Sequence, residues 1–443
     1  MPSTRTKRPR PAKQADWTVM VFLNAKNNLE QFSFLNFEQM AKVGSTDRVN
    51  ILVEFGRPQR NYVDLYGGWS KTLRYRVEKG MKPTEAKALD DLGAVNMGDG
   101  VALAEFVTWA REAYPADRYL LALWDHGQGW RRRSALTVRA TAADAGRLSQ
   151  ARAKARSRVG DALGSLEPLP DDMRVHGAFR YVSHDEDTGD KLYNREIQDA
   201  LAGLTADGRI DVIGFDACLM AMLETSYALR GAGSVMVASE ELEPGDGWNY
   251  TNFLGPLVAD PAAFDAAALG AQMVTGYEEH YGDRDATTLS AVDLAKTQKA
   301  ATALSRFATL ATTGLTTHLP ALRRARKACE NYAPGYGLHS IDLLRFLDQV
   351  AKAPGVEATL ARRALAARDA VAGTVIANYA SPQRQGKFGS GGVAVYFPES
   401  KLAYENDPDR EGYAIGNTHY PVEFVQRQKW AKFLHAYFDQ VAR

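Results

Sequence analysis

Apolar and polar positions alternate between two periods from Trp17 onward. Trp17-Thr-Val-Met-Val-Phe-Leu23 is an apolar run of strand length, followed by asparagine-rich turn chemistry. Leu29 to Val43 then carries Phe32, Leu35, Phe37 and Met40 at helical spacing. Val49 to Phe55 reads as a second strand, and Trp69 to Val77 alternates like an edge strand or hairpin arm. Asp99 suits the N-cap of a helix reaching about Ala113. Tyr119 to Trp124 is a third buried strand, ending abruptly at Asp125-His126-Gly127. After a gap, Asn194 to Leu204 reads as helix, and Ile210 to Phe215 as a fourth strand ending at Asp216-Ala217-Cys218. A helix is expected from about Cys218 to Leu229, and a fifth strand over Ser234 to Ala238.

This alternation predicts an α/β fold, a mostly parallel sheet flanked by helices on both faces. Beyond residue 261 the pattern turns helical, over Ala262–Tyr281, Ala295–Ala311, Leu315–Asn331, Ser340–Lys352, Val356–Tyr379 and Val422–Val441. One further strand, Gly391 to Phe397, is stopped by Pro398. The expected organisation is a basic tail over 1–15, a core over 16–260, and a helix-rich region over 261–443 that completes or caps it.

Composition narrows the function classes. The chain has 443 residues, with 54 basic against 53 acidic side chains, which argues against a wholly basic nucleic-acid binder. Two cysteines are too few for a disulfide framework or a thiolate zinc site. No run approaches the roughly 18 apolar residues of a membrane span. No secretory signal pattern precedes Trp17, so a cytoplasmic location is expected. The charge is uneven, however. Beside the tail, an insert over 131–172 holds Arg131, Arg132, Arg133, Arg139, Arg147, Arg152, Lys154, Arg156 and Arg158, with Asp144 the one acid before Gly160. Its low hydrophobicity predicts a solvated segment. Nucleic-acid binding is disfavoured there because no aromatics are interleaved for base stacking.

Two inferred strands deliver a reactive side chain just past their ends, His126 and Cys218, at the edge of the sheet where ligands bind. A nucleophilic thiol needs a base within reach and backbone donors for the oxyanion. Histidine is the usual base, and Gly127 has no side chain to block approach of its N–H. The expected helix start at Cys218 would lower its pKa through the macrodipole. His176-Gly177 lacks a preceding apolar strand, and Cys329 lies in a helical run as a packing residue.

These residues resemble a family. The runs into Asp125-His126-Gly127 and Asp216-Ala217-Cys218, with Ala238-Ser239-Glu240 leading to Gly245-Asp246-Gly247-Trp248, look like clostripain-type cysteine peptidases of the caspase and gingipain group. The resemblance implies a caspase-like sheet and a dyad of Cys218 as nucleophile and His126 as general base. It also implies an oxyanion donor at Gly127 and cleavage of proteins after exposed arginine, or less well lysine. Asp246 matches the family's pocket acid, with Asp216 a second candidate. A carboxylate can take a guanidinium as a bidentate pair. For Asp246 a plain turn role in Pro-Gly-Asp-Gly stays open, and for Asp216 a role in fixing its loop.

Family members are typically cut between the histidine and cysteine parts. Here that interval exceeds the caspase spacing of about 50 residues by roughly 40, about the size of the basic insert. Arg133, Arg139, Arg147, Arg152, Lys154, Arg156 and Arg158 are therefore candidate processing sites of a zymogen. The cut falls to the enzyme itself or to an upstream activating protease. No cofactor is implied for the chemistry, but calcium is possible. His184-Asp-Glu-Asp-Thr-Gly-Asp190 with Glu196 resembles a calcium loop whose glycine is one place early. An acidic hairpin turn is the simpler reading. The competing function is an inactive caspase-like module that recruits nucleic acid or proteins through its basic segments.

Overall fold

The computed structural model describes residues 14–127, 182–202, 208–333, 337–386, 388–407, 410–417 and 422–441. Nine strands, numbered here in chain order, form one sheet. Its centre is parallel, in the spatial order β9 (Gly233–Ala238), β8 (Ile210–Asp216), β5 (Ala116–Trp124), β1 (Ala15–Asn24) and β2 (Val49–Gly56). Antiparallel strands close both edges. β3 (Thr72–Arg76) and β4 (Asp90–Gly93) lie beyond β2, and β10 (Thr288–Asp293) and β12 (Val375–Ala380) beyond β9.

The apolar runs form strands because both faces of this sheet are covered. Val19, Val21 and Leu23 pack under the helices Glu30–Val43, Tyr250–Ala259 and Ala266–Tyr281. Met20 and Phe22, pointing the other way, pack under Gly100–Ala113 and Asn194–Ala202. Asp99 caps Gly100–Ala113, accepting from the Val101 N–H at 2.9 Å. A third core joins the helices Leu294–Thr313, Leu315–Lys327, Leu343–Ala351, Ala358–Ala372 and Trp430–Val441 around Phe346, Phe397 and Trp430. It encloses a small sheet of β11 (Ser340–Asp342) and β13 (Ala394–Tyr396). Among the described residues no helix is long and apolar enough to cross a membrane.

Several elements differ from the sequence expectation. β10 and β12 continue the main sheet from beyond residue 260, and β12 occupies the end of the expected helix Val356–Tyr379. That helix stops at Ala372, where Gly373 and Thr374 break the periodicity. Ser340–Asp342 is strand, and Asp342 caps the helix that follows. The last helix is two, Glu423–Arg427 and Trp430–Val441. Finally, the helix expected at Cys218 begins only at Leu223.

Candidate active site

Parallel strands end on the same edge, so the segments after β1, β5, β8 and β9 converge there. The register pairs Trp124 with Asp216, and the Asp125 N–H donates to the Asp216 carbonyl at 3.3 Å. His126 and Cys218 therefore leave adjacent strands in step. Gly127 lies so close to the Cys218 backbone that a Cβ there would stand 2.5 Å from the Cys218 carbonyl oxygen. Only glycine fits at that approach. Its N–H acts on the Cys218 sulfur, and the Glu243 N–H donates to the same sulfur at 3.2 Å. Both donors favour the thiolate. Burial opposes them and pushes the Cys218 thiol up to about 12, helped by the Glu243 and Glu241 carboxylates. Burial also pushes His126 down to about 3, helped by His184. Thiol and imidazole are thus both neutral here. The expected macrodipole effect is absent because Leu223, not Cys218, starts the helix, and the thiol is raised rather than lowered.

The imidazole is held by Asn28. His126 Nε2 lies 2.8 Å from Asn28 Oδ1, and an amide oxygen can only accept. That contact puts a proton on Nε2 and leaves Nδ1 as the ring's acceptor. The segment around Asn28 is itself pinned by Asp125, which is 3% exposed. Asp125 accepts from Asn24 Nδ2 at 3.1 Å, from Asn27 Nδ2 at 2.7 Å, and from the N–H groups of His126 and His184. Burial raises its carboxyl, while these donors pull the other way.

The two acids matched to the pocket sit differently. Asp216 is buried, and its oxygens accept from the Trp248 backbone N–H and the Tyr250 hydroxyl, both at 3.0 Å. A Cβ on Gly247 would reach within 2.6 Å of Asp216, so the Gly245-Asp-Gly-Trp248 turn is moulded onto it. Asp246 is half-buried beside Tyr281, Arg284 and Asp285; burial and Asp285 raise its carboxyl, and Arg284 lowers it. The candidate processing residues Arg133, Arg139, Arg147, Arg152, Lys154, Arg156 and Arg158, and the insert that holds them, lie outside the described residues.

The acidic motif at 184–190 is a hairpin of β6 (Val182–Asp185) and β7 (Asp190–Leu192). Its acids have protein partners. Lys26 Nζ reaches Asp185 at 3.1 Å and Asp187 at 3.6 Å, Asn96 donates to Asp190 at 2.7 Å, and the Tyr193 N–H donates to Glu196 at 3.0 Å. Among the described residues no group of three or more His, Cys, Asp or Glu is placed to hold a metal ion. Asn28 and Glu243 were not singled out by the sequence. Asn28 sits in a stretch read only as a turn, and Glu243 in a run of acids with no distinguishing spacing.

A thiol and an imidazole stand at paired strand ends of an α/β sheet, with two backbone donors on the sulfur. The chain belongs to the clostripain family, whose profile matches residues 21–153 and 171–436. Cysteine proteases of this family need no cofactor for their chemistry. Clostripain of Hathewaya histolytica is 26% identical over 383 residues, covering 77% of this chain and 62% of that protein. The chain thus spans less than two thirds of that relative's length. A secreted C11 cysteine protease from Bacteroides thetaiotaomicron, solved with an irreversible peptide inhibitor, shares the fold at a TM-score of 0.59 and 19% identity. The match covers 95% of this chain and 99% of that one. An inactive zymogen C11 protease from Parabacteroides distasonis matches at 0.57 and 15% identity, covering 96% of this chain and 99% of its own.

Proposed function

We propose that the protein is a cysteine endopeptidase that cleaves after arginine, and less well after lysine. The observation that carries this reading is the Cys218 sulfur under the N–H groups of Gly127 and Glu243, one strand from His126. As the sulfur attacks the scissile carbonyl, its proton passes to His126, and the Gly127 N–H faces the oxyanion. His126 then returns the proton to the leaving amine, and water hydrolyses the thioester. Starting from neutral partners, the proton moves during attack rather than before it.

The arginine preference is assigned to Asp246, with Asp216 holding the loop that carries it. Processing in the Arg-rich insert belongs to the same proposal. The described ends on either side of the insert are stapled by Asp125, which binds the N–H groups of both His126 and His184. A chain cut between them keeps those contacts. Intact mass over time, for wild type and Cys218→Ala, tests the reading. Wild type is expected to cleave an arginyl peptide and its own insert, and Cys218→Ala neither. A Cys218→Ala protein that still cleaves the peptide refutes the dyad, whereas cutting of that variant only by an added protease identifies activation by another enzyme.

A further inference from the structure

Near Cys218 lies a buried cluster of polar groups that the folded chain satisfies only in part. The Tyr277 hydroxyl has no hydrogen-bond partner, and the buried Glu243 carboxyl has only a loose contact with the Trp248 indole N–H beside its contact with Asp216. All these atoms are buried, and such orphans are costly enough to need a reason. They face one another. Asp216, Cys218, Tyr250, Tyr277 and Tyr281 all feel the Glu243 carboxylate, and Glu241 adds a further negative charge at Cys218. Among the described residues no lysine or arginine pairs with Asp216 or Glu243. Asp216 has its own donors in Trp248 and Tyr250, so Glu243 carries the poorly satisfied carboxyl of the two.

Two carboxyls in contact in a buried site do not both ionise. Burial and mutual repulsion hold the pair above the usual carboxylate range, and a proton on Glu243 lets it donate to Asp216. The Trp248 indole N–H answers the second Glu243 oxygen only loosely, and the Tyr277 hydroxyl is still unanswered. The main chain of Glu243 meanwhile holds the nucleophile, its N–H donating to Cys218 Sγ at 3.2 Å. A cation seated on this carboxyl would therefore offset the negative charge that Glu243 places at the sulfur.

We propose that Glu243 is a further specificity-determining acid, receiving the cationic side chain of the substrate, which displaces the proton Glu243 shares with Asp216. The proposal rests on the reading of the protein as an arginine-directed peptidase and deepens it. Charge balances in the exchange: one guanidinium or ammonium enters, one proton leaves to solvent, and the Asp216–Glu243 pair becomes doubly ionised around the cation. A guanidinium supplies donors to both Glu243 oxygens at once, which a lone proton cannot.

Agmatine, a guanidinium with no scissile bond, tests this with the full chain by calorimetry in two buffers of different ionisation enthalpy. At pH 6, wild type is expected to release about one proton per agmatine bound, so affinity rises about tenfold per pH unit. Glu243→Gln should bind agmatine without that release and with little pH dependence, while Glu243→Asp and Asp246→Asn keep it. No binding or no release in wild type overturns the proposal, as does equal release in Glu243→Gln. A buried water answering the orphan atoms would give the no-release result. Cleavage of an arginyl amide, measured alongside, separates the two readings. Lost cleavage with intact proton release removes only the peptidase assignment, and intact cleavage without release removes only the role of Glu243.

Discussion

Asn28 fixes which nitrogen of His126 carries a proton, and so which one can take the thiol's. The 2.8 Å contact ties Nε2 of the ring to Asn28. Asn28→Ala is therefore expected to lower kcat on the order of 100-fold through misplacement of the base, with KM nearly unchanged. Asn28→Asp is the more telling change. A carboxylate on Nε2–H favours the imidazolium, so the acid limb of kcat/KM should move up by about one pH unit or more. A role confined to packing would leave that limb where it was. At the pocket, Asp246→Asn removes the charge and keeps the volume. Arginyl substrates should lose about 10- to 100-fold in kcat/KM, the worth of a charge-assisted pair, while the melting temperature stays near wild type. Unchanged preference between arginyl and neutral substrates would take Asp246 out of the pocket.

At the scale of elements, the most instructive stretch is Ala217 to Met222. Its composition is helix-compatible, and the sequence alone gives no reason to delay the helix beyond Cys218. The structure supplies one. Leu219 N–H donates to the Glu241 carbonyl at 3.0 Å, Ala221 N–H to the Ser239 carbonyl at 2.9 Å, and the Ala394 N–H returns to the Ala221 carbonyl at 2.8 Å. Backbone groups used in this way are not available for a helix, and Leu219 takes a left-handed φ of 61°. Contacts between segments far apart in the chain decide the outcome, and local periodicity does not carry them. The central strands were legible because burial on both faces leaves continuous apolar runs. Edge strand β12 has mostly half-buried positions, so its pattern merges with the helix before it. His126 and Cys218 were legible for the same reason as the strands they end. Asn28 was not, since turn asparagines are common and only the fold shows which one meets the histidine.

The partner segment of that stretch depends on a buried ion pair. Glu241 has one oxygen on the Leu242 and Ala333 N–H groups and the other 2.9 Å from Arg384 Nε, with the carboxyl fully buried and Arg384 half-buried. Arg384→Ala strands that carboxylate and should cost about 3 kcal/mol, read as a lower denaturant midpoint with unchanged slope. Glu241→Gln in the same background should recover part of the loss, because the amide needs no counter-charge. If Arg384→Ala melts like wild type, the pair is not what holds the Ser239–Glu243 segment against Cys218.

For the whole molecule, buried titratable groups of two kinds set opposing slopes of stability with pH. Burial raises the carboxyls of Glu54 and Glu196 to about 7, and those of Glu30, Asp125 and the Asp216–Glu243 pair above their usual range. A carboxyl with a raised folded pKa binds its proton more tightly folded than unfolded, so stability falls as pH rises from the unfolded value toward the folded one. Burial lowers His126 to about 3 and His184 to about 4, and lowers His280 and His435 as well. For these the unfolded chain takes the proton first, and stability falls as pH drops below about 6.5. The slopes oppose one another between roughly pH 4.5 and 6.5 and separate outside that window. Above it only the carboxyls act, and Glu54 alone accounts for about 3 kcal/mol across its full range at 1.4 kcal/mol per pKa unit. The Cys218→Ala chain, which cannot cut itself under the proposed mechanism, should therefore melt higher at pH 6 than at pH 8. Glu54→Gln should flatten that alkaline decline, since Arg74 at 2.7 Å only partly offsets the burial of Glu54. A melting temperature that climbs from pH 6 to pH 8 would show that Glu54 and the other raised carboxyls do not set the alkaline slope.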